Sequence, residues 1–152
     1  MALTLAEIQS QRLRVVEEAR RWLGTPWRHL GRVRGAGVDC GMLLAEVYEA
    51  CGLCSHLEST YPNDWMLHRD EDVMVREVEI RGNVRAQGPG QPGDIALFRH
   101  GRCIAHGALV VEWPLVIHAY VPVGMVCLDD AVANRALGRH LAGFWHPAAW
   151  EV

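Results

Sequence analysis

The chain has 152 residues, half of them hydrophobic, with 15 basic side chains against 18 acidic ones and a net charge of −3. That length suits one domain, residues 1–152, around one core, and the charge balance excludes the basic footprint of a nucleic-acid binder. Every basic residue among Lys and Arg is Arg, so lysine Schiff-base chemistry and a Walker-type phosphate loop are excluded as well.

At the start, Met1 to Leu5 lacks the basic stretch, apolar core and small-residue cleavage site of an export signal. No apolar run approaches the length of a membrane span. These features predict cytoplasmic synthesis without a signal peptide. The five cysteines are Cys40, Cys51, Cys54, Cys103 and Cys127. An odd number without an export signal argues against a disulfide framework.

Thr4-Leu5-Ala6-Glu7 reads as a capping box opening a helix, with Ile8, Val15, Val16, Ala19, Trp22 and Leu23 as its apolar stripe. Gly24-Thr25-Pro26 ends it. Trp27 to Gly37 reads as a loop. A second helix is expected from Cys40 to Cys51, with Gly52 as its C-terminal cap. In residues 55–92, Tyr61-Pro62-Asn63-Asp64 looks like a turn, and Asp70 to Glu79 fits either a charged helix or an alternating strand. Gly88 to Gly93 is a loop by composition.

The remainder is strand-rich: Asp94 to Phe98, then Ala105 to Val111 and Leu115 to Val121 as a hairpin around Glu112-Trp113-Pro114, then Gly124 to Leu128. Asp129 to Leu137 is helix-like, with Asp129 as its candidate cap. Phe144-Trp145 pairs back onto the sheet. Helices first and an antiparallel sheet afterwards predict an α+β fold, with N-terminal helices packed on a central sheet of about four to six strands.

Chemistry concentrates at Gly37-Val38-Asp39-Cys40-Gly41. The cysteine stands where an apolar helix begins, and the positive end of the helix dipole favours a thiolate there. His106 and His118 lie inside the two hairpin runs, an even number of positions apart. They are therefore expected on one face, roughly opposite each other, about 5 Å apart at Cβ. A helix packed on that face brings Cys40 close to His106. A thiol, a base and an orienting group are the parts of nucleophilic acyl transfer. Buried, inert cysteines and hydrogen-bonded core histidines are the bland alternative.

Other residues divide the same way. Asp39 reads as a helix cap more readily than as a chemical group, and Asp94 as a turn residue. Arg28, Arg32 and Arg34 form either a solvated loop or a basic lip for a carboxylate-rich peptide. Cys51-Gly52-Leu53-Cys54 has a metal-ligand spacing but lacks a second pair, so no metal is expected. His29, His56, His68, His100, His140 and His146 read as surface residues.

The strings Trp22-Leu23-Gly24-Thr25-Pro26-Trp27, Gly37-Val38-Asp39-Cys40, Gln91-Pro92-Gly93-Asp94-Ile95, His106-Gly107 and Ile117-His118-Ala119 occur in this order. Together they resemble the NlpC-type cysteine peptidases, papain-like enzymes that cut bacterial cell-wall peptides. The resemblance covers roughly residues 10–148, with 55–92 loosely matched. It implies Cys40 as nucleophile, His106 as general base and then acid, and His118 as the residue orienting His106, with no cofactor. Trp27 stands where that family has a Tyr near the oxyanion, and the backbone N–H of Cys40 is implied as an oxyanion donor.

The implied substrate is a peptidoglycan stem peptide, for which Arg32 and Asp39 are further candidate contacts. Phe144-Trp145-His146-Pro147 looks most like the phage-tail branch, implying virion or tail association and tail-tip proteins as partners. The alternative on the same fold is a catalytically inactive tail-tip or assembly protein, with Phe144, Trp145 and Trp150 as an interface.

Overall fold

A computed structural model describes residues 1–55 and 73–152. Helix α1 (Leu5–Arg20) opens with the expected capping box: Thr4 Oγ1 accepts from the Glu7 amide, and the Glu7 carboxylate accepts from the Thr4 amide. It closes earlier than the sequence suggested. Trp22 and Leu23 lie in a following turn, where Thr25 Oγ1 accepts from the Gly35 amide and draws the next loop inward.

That loop contains a two-residue hairpin, β1 (Arg32–Val33) and β2 (Gly37–Val38), which the composition did not reveal. Backbone passes very close there: a Cβ added at Gly31 would lie 2.6 Å from the Gly37 carbonyl carbon. Helix α2 (Cys40–Ala50) follows and ends at Cys51. Gly52, at φ +71°, lets Leu53 N–H return to the Tyr48 carbonyl at 2.8 Å.

The second half begins with α3 (Val73–Ile80), which resolves the helix-or-strand ambiguity for its own residues in favour of helix. Residues 70–72, the expected turn at 61–64, His56 and His68 lie outside the described residues. Strands β3 (Asn83–Arg85), β4 (Ile95–His100), β5 (Cys103–Glu112), β6 (Leu115–Tyr120), β7 (Met125–Asp130) and β8 (Leu141–Pro147) form one antiparallel sheet. Its spatial order is β3-β8-β4-β5-β6-β7. This is the α+β architecture expected, within the expected strand count.

Two cores flank the sheet. Helix residues such as Val15, Leu43 and Val47 pack with Ile95, Leu97, Leu109 and Ile117 on one face. Ala96, Phe98, Ala108, Val110 and Val116 pack on the other, under Leu137 and Phe144.

Three expectations are corrected here. Asp129 does not cap a helix: it belongs to β7, and the helical turn that follows is α4 (Arg135–Gly138), capped by Asn134 Oδ1. Phe144, Trp145 and Trp150 are buried, so they contribute core rather than an exposed interface. His146 is not a surface residue. It is buried, with Nδ1 3.4 Å from Asp94 Oδ1, in a cluster where Arg12 Nη1 donates to Asp94 Oδ1 at 2.6 Å and the Arg12 guanidinium lies over the Trp150 ring. Asp94 also serves the turn as expected, its Oδ2 accepting from the Gln91 amide. The cluster fastens α1 to the start of β4 and the end of β8.

Candidate active site

Asp39 sets where α2 begins. Its Oδ1 accepts from the Met42 amide at 2.9 Å, the N-cap bond that leaves Cys40 as the first helical residue. Its Oδ2 accepts from the Leu30 amide at 2.7 Å, holding Leu30 at φ +59°, and His29 Nδ1 lies 3.7 Å away. Asp39 is buried and its contacts are those of a cap and loop tie.

Strand β5 meets the start of α2 at an opening in the sheet. Val110 exchanges both backbone bonds with Gly93 and Asp94, so even-numbered β5 residues turn their peptide groups toward β4 and odd-numbered ones toward β6. Pairing with β6 starts only at Leu109↔Ile117. Before that point the Ala105 carbonyl and Gly107 amide face a gap, and the half-buried Cys40 Sγ fills it. Sγ donates to the Ala105 carbonyl at 3.9 Å, and the Gly107 amide turns toward the sulfur.

Gly107 permits this approach: a Cβ there would lie 2.6 Å from Leu44 Cδ1.

The two histidines sit on the same face, as expected, but on the face away from α2. His106 pairs with Phe98, ring centroids 5.9 Å apart, in the second core's territory. The register puts His118 one same-face step from His106 rather than directly opposite, because the hairpin turns at Trp113-Pro114 and not around Glu112; the β5 bulge between Val110 and Glu112 then returns the two histidines to one face. The long side chains span that step: His106 Nε2 and His118 Nδ1 are 2.8 Å apart. The sulfur thus reaches the edge of the strand that carries His106, and its hydrogen goes to backbone. This corrects the expectation that α2 packs on the imidazole face.

Electrostatics also differ from the dipole argument. Burial, with the Asp39 carboxylate adding to it, pushes the Cys40 thiol up to about 12, although the amides of Gly107, Gly41 and Cys40 favour the thiolate. Burial, reinforced by His118 and His100, pulls His106 down to about 3. His118 is lowered by burial, opposed by Asp129. At neutral pH the pair is thiol and imidazole, both uncharged.

Arg32 requires another correction. Its Nε donates to Glu46 at 2.6 Å and its Nη2 to Glu49 at 2.7 Å, so it braces the β1–β2 loop against α2 instead of forming a basic lip. Trp27 is half-buried against the first core, and its backbone bridges Val38. Its indole N–H makes no hydrogen bond among the described residues.

Sequence reasoning missed three residues around the imidazoles. Asp129 Oδ2 lies 3.0 Å from His118 Nε2. Tyr120 stacks on His118 at 4.4 Å and 16°, and Phe98 flanks His106. Tyr120 follows His118 by two in a period-two strand, a signal that was readable. Among the described residues no cluster suited to a metal ion occurs.

No family model matches the sequence, and no curated protein matches it. Solved structures do. An NlpC/P60 family protein from Bacillus cereus superposes with a TM-score of 0.63 at 20% identity, over 88% of this chain and 39% of that one. The peptidoglycan hydrolase RipB of Mycobacterium tuberculosis matches at 0.59 and 14% identity, over 94% of this chain and 67% of that one. RipD of the same organism, described as a non-catalytic NlpC/p60 domain protein adapted to peptidoglycan binding, matches at 0.56 and 14%, over 91% and 97%. The chain spans under half of the first three structures it matches. What these likenesses share is the fold.

Proposed function

Taking the NlpC/P60 fold as its frame, we infer that this chain is a cysteine endopeptidase acting on the stem peptides of bacterial peptidoglycan. One observation carries the reading: the Cys40 sulfur, at the start of α2, meets the strand backbone on both sides of His106, whose far nitrogen is bonded to His118.

The resting thiol is uncharged and bonded to the Ala105 carbonyl, so it must first turn from that carbonyl toward His106; its proton then passes to the imidazole as sulfur attacks the carbonyl carbon, forming the C–S bond. The Cys40 and Gly41 amides at the helix start are the donors available to the resulting oxyanion. Collapse breaks the C–N bond, and His106 returns the proton to the leaving amine. Water, deprotonated by the same imidazole, then cleaves the acyl-enzyme and regenerates the thiol. No step calls for a cofactor.

The resemblance of residues 144–147 to the phage-tail branch supports a tail setting with tail-tip partners; detecting the chain in purified virions tests it.

The competing reading, an inactive wall-peptide binder, draws on the Sγ hydrogen bond to the Ala105 carbonyl and on the likeness to RipD. Digestion of purified wall peptides, read by mass spectrometry, separates them. Wild type should release new amino termini and Cys40→Ala none. Equal turnover by both variants overturns the mechanism, and binding without cleavage by wild type supports the competitor.

A further inference from the structure

The geometry points to Asp129 as a positioning residue that fixes the tautomers of both imidazoles and so leaves Nδ1 of His106 as the bare basic nitrogen. The inference begins at the carboxylate. An ionised carboxylate only accepts hydrogen bonds, so the 3.0 Å contact with His118 requires the proton on His118 Nε2. His118 is fully buried and held uncharged, so one ring proton is all it carries and its Nδ1 is an acceptor. At 2.8 Å from that acceptor, His106 Nε2 must donate. Since His106 is also uncharged, its single proton is thereby placed on Nε2, and Nδ1 is left with its lone pair.

The opposite arrangement fits the same two ring positions. With the proton on His118 Nδ1, donation runs from His118 to His106, and the His106 proton moves to Nδ1. That imidazole could not accept a proton at Nδ1. Only the group beyond His118 distinguishes the two chains of bonds, and Asp129 is that group.

Asp129 is itself held as an acceptor. Asn134 Nδ2 donates to the same Oδ2 at 2.8 Å, and the Asp130 amide donates to Oδ1 at 2.9 Å. Each carboxylate oxygen thus accepts from a neighbour that can only donate, the arrangement an ionised carboxylate takes. Tyr120, stacked on His118, fixes the plane in which both ring nitrogens lie.

The functional weight of this assignment rests on the peptidase reading, but its test does not. Nitrogen-15 NMR of the full chain at neutral pH should show both His106 and His118 protonated at Nε2. In Asp129→Ala each should divide between tautomers. Against wall peptides, Asp129→Ala should lower kcat/KM on the order of 100-fold.

A wild-type His106 carrying its proton on Nδ1 overturns the inference, even if the variants fail to fold. So does an Asp129→Ala spectrum identical to wild type. If wild type cleaves no peptide while the spectra behave as expected, the peptidase reading fails and the tautomer assignment stands.

Discussion

Cys40 sits at a helix start, yet its thiol is held against ionisation. The helix-start amides favour charge on the sulfur, as do the N-terminal dipoles in general. Desolvation outweighs them, and Asp39, the residue that caps the helix, adds a like charge. Replacing Asp39 with Asn removes the charge and keeps an oxygen for the Met42 amide while losing the acceptor for Leu30, so the Cys40 titration should move down. Alkylation of Cys40 by iodoacetamide, followed by mass spectrometry from pH 6 to 11, checks it: below a titration at about 12 the rate follows the thiolate fraction, so Asp39→Asn should label faster at each pH, and an unchanged rate contradicts the electrostatic role. At this scale the sequence carried Cys40, His106 and His118, because a glycine-rich loop before an apolar helix and a period-two strand are local patterns. Asp129 escaped because its contact depends on the β6–β7 register, His118↔Cys127, which no local pattern specifies.

At the scale of elements, the site is made by a loop and a gap. The 2.6 Å approach that a Gly31 Cβ would make is to backbone, not to the tip of a flexible side chain, so the β1–β2 hairpin cannot yield without moving the chain that leads to Asp39. Gly31→Ala should therefore cost about 2 kcal/mol or more in urea unfolding and lower activity beyond its stability effect. Gly35→Ala makes no comparable contact and separates crowding from conformational strain, since Gly35 has a positive φ and open space around it. The capping box, α2 with its Gly52 cap, and the β5–β6 hairpin were legible because their signals lie within a few residues. The β1–β2 hairpin and β3 were not. Two- and three-residue strands have too few positions to show a period, and tertiary pairing alone makes them strands.

Across the whole molecule, two buried histidines, His118 and His146, and the half-buried His106 give stability opposite dependences on pH. His146 is raised above 6.5, first by its hydrogen bond to Asp94. A raised group stabilises fully below its unfolded value and loses that contribution as pH rises through its folded value. His106 and His118 are lowered from 6.5, first by burial, His106 to about 3. Their contribution is whole above about 6.5 and declines as pH falls toward the folded values. Within about pH 5–8, below the range where cysteines titrate and above that of most carboxylates, stability should peak near 6.5. Its alkaline limb belongs to the Arg12–Asp94–His146 cluster that joins α1, β4 and β8. Its acid limb belongs to the imidazole pair. Thermal unfolding of His146→Gln should flatten the alkaline limb alone, and His106→Gln should weaken the acid limb alone. If His146→Gln leaves the alkaline limb as steep as wild type, the Asp94 contact does not govern it, and the cluster holds the two ends of the chain together by packing of Arg12 on Trp150 instead.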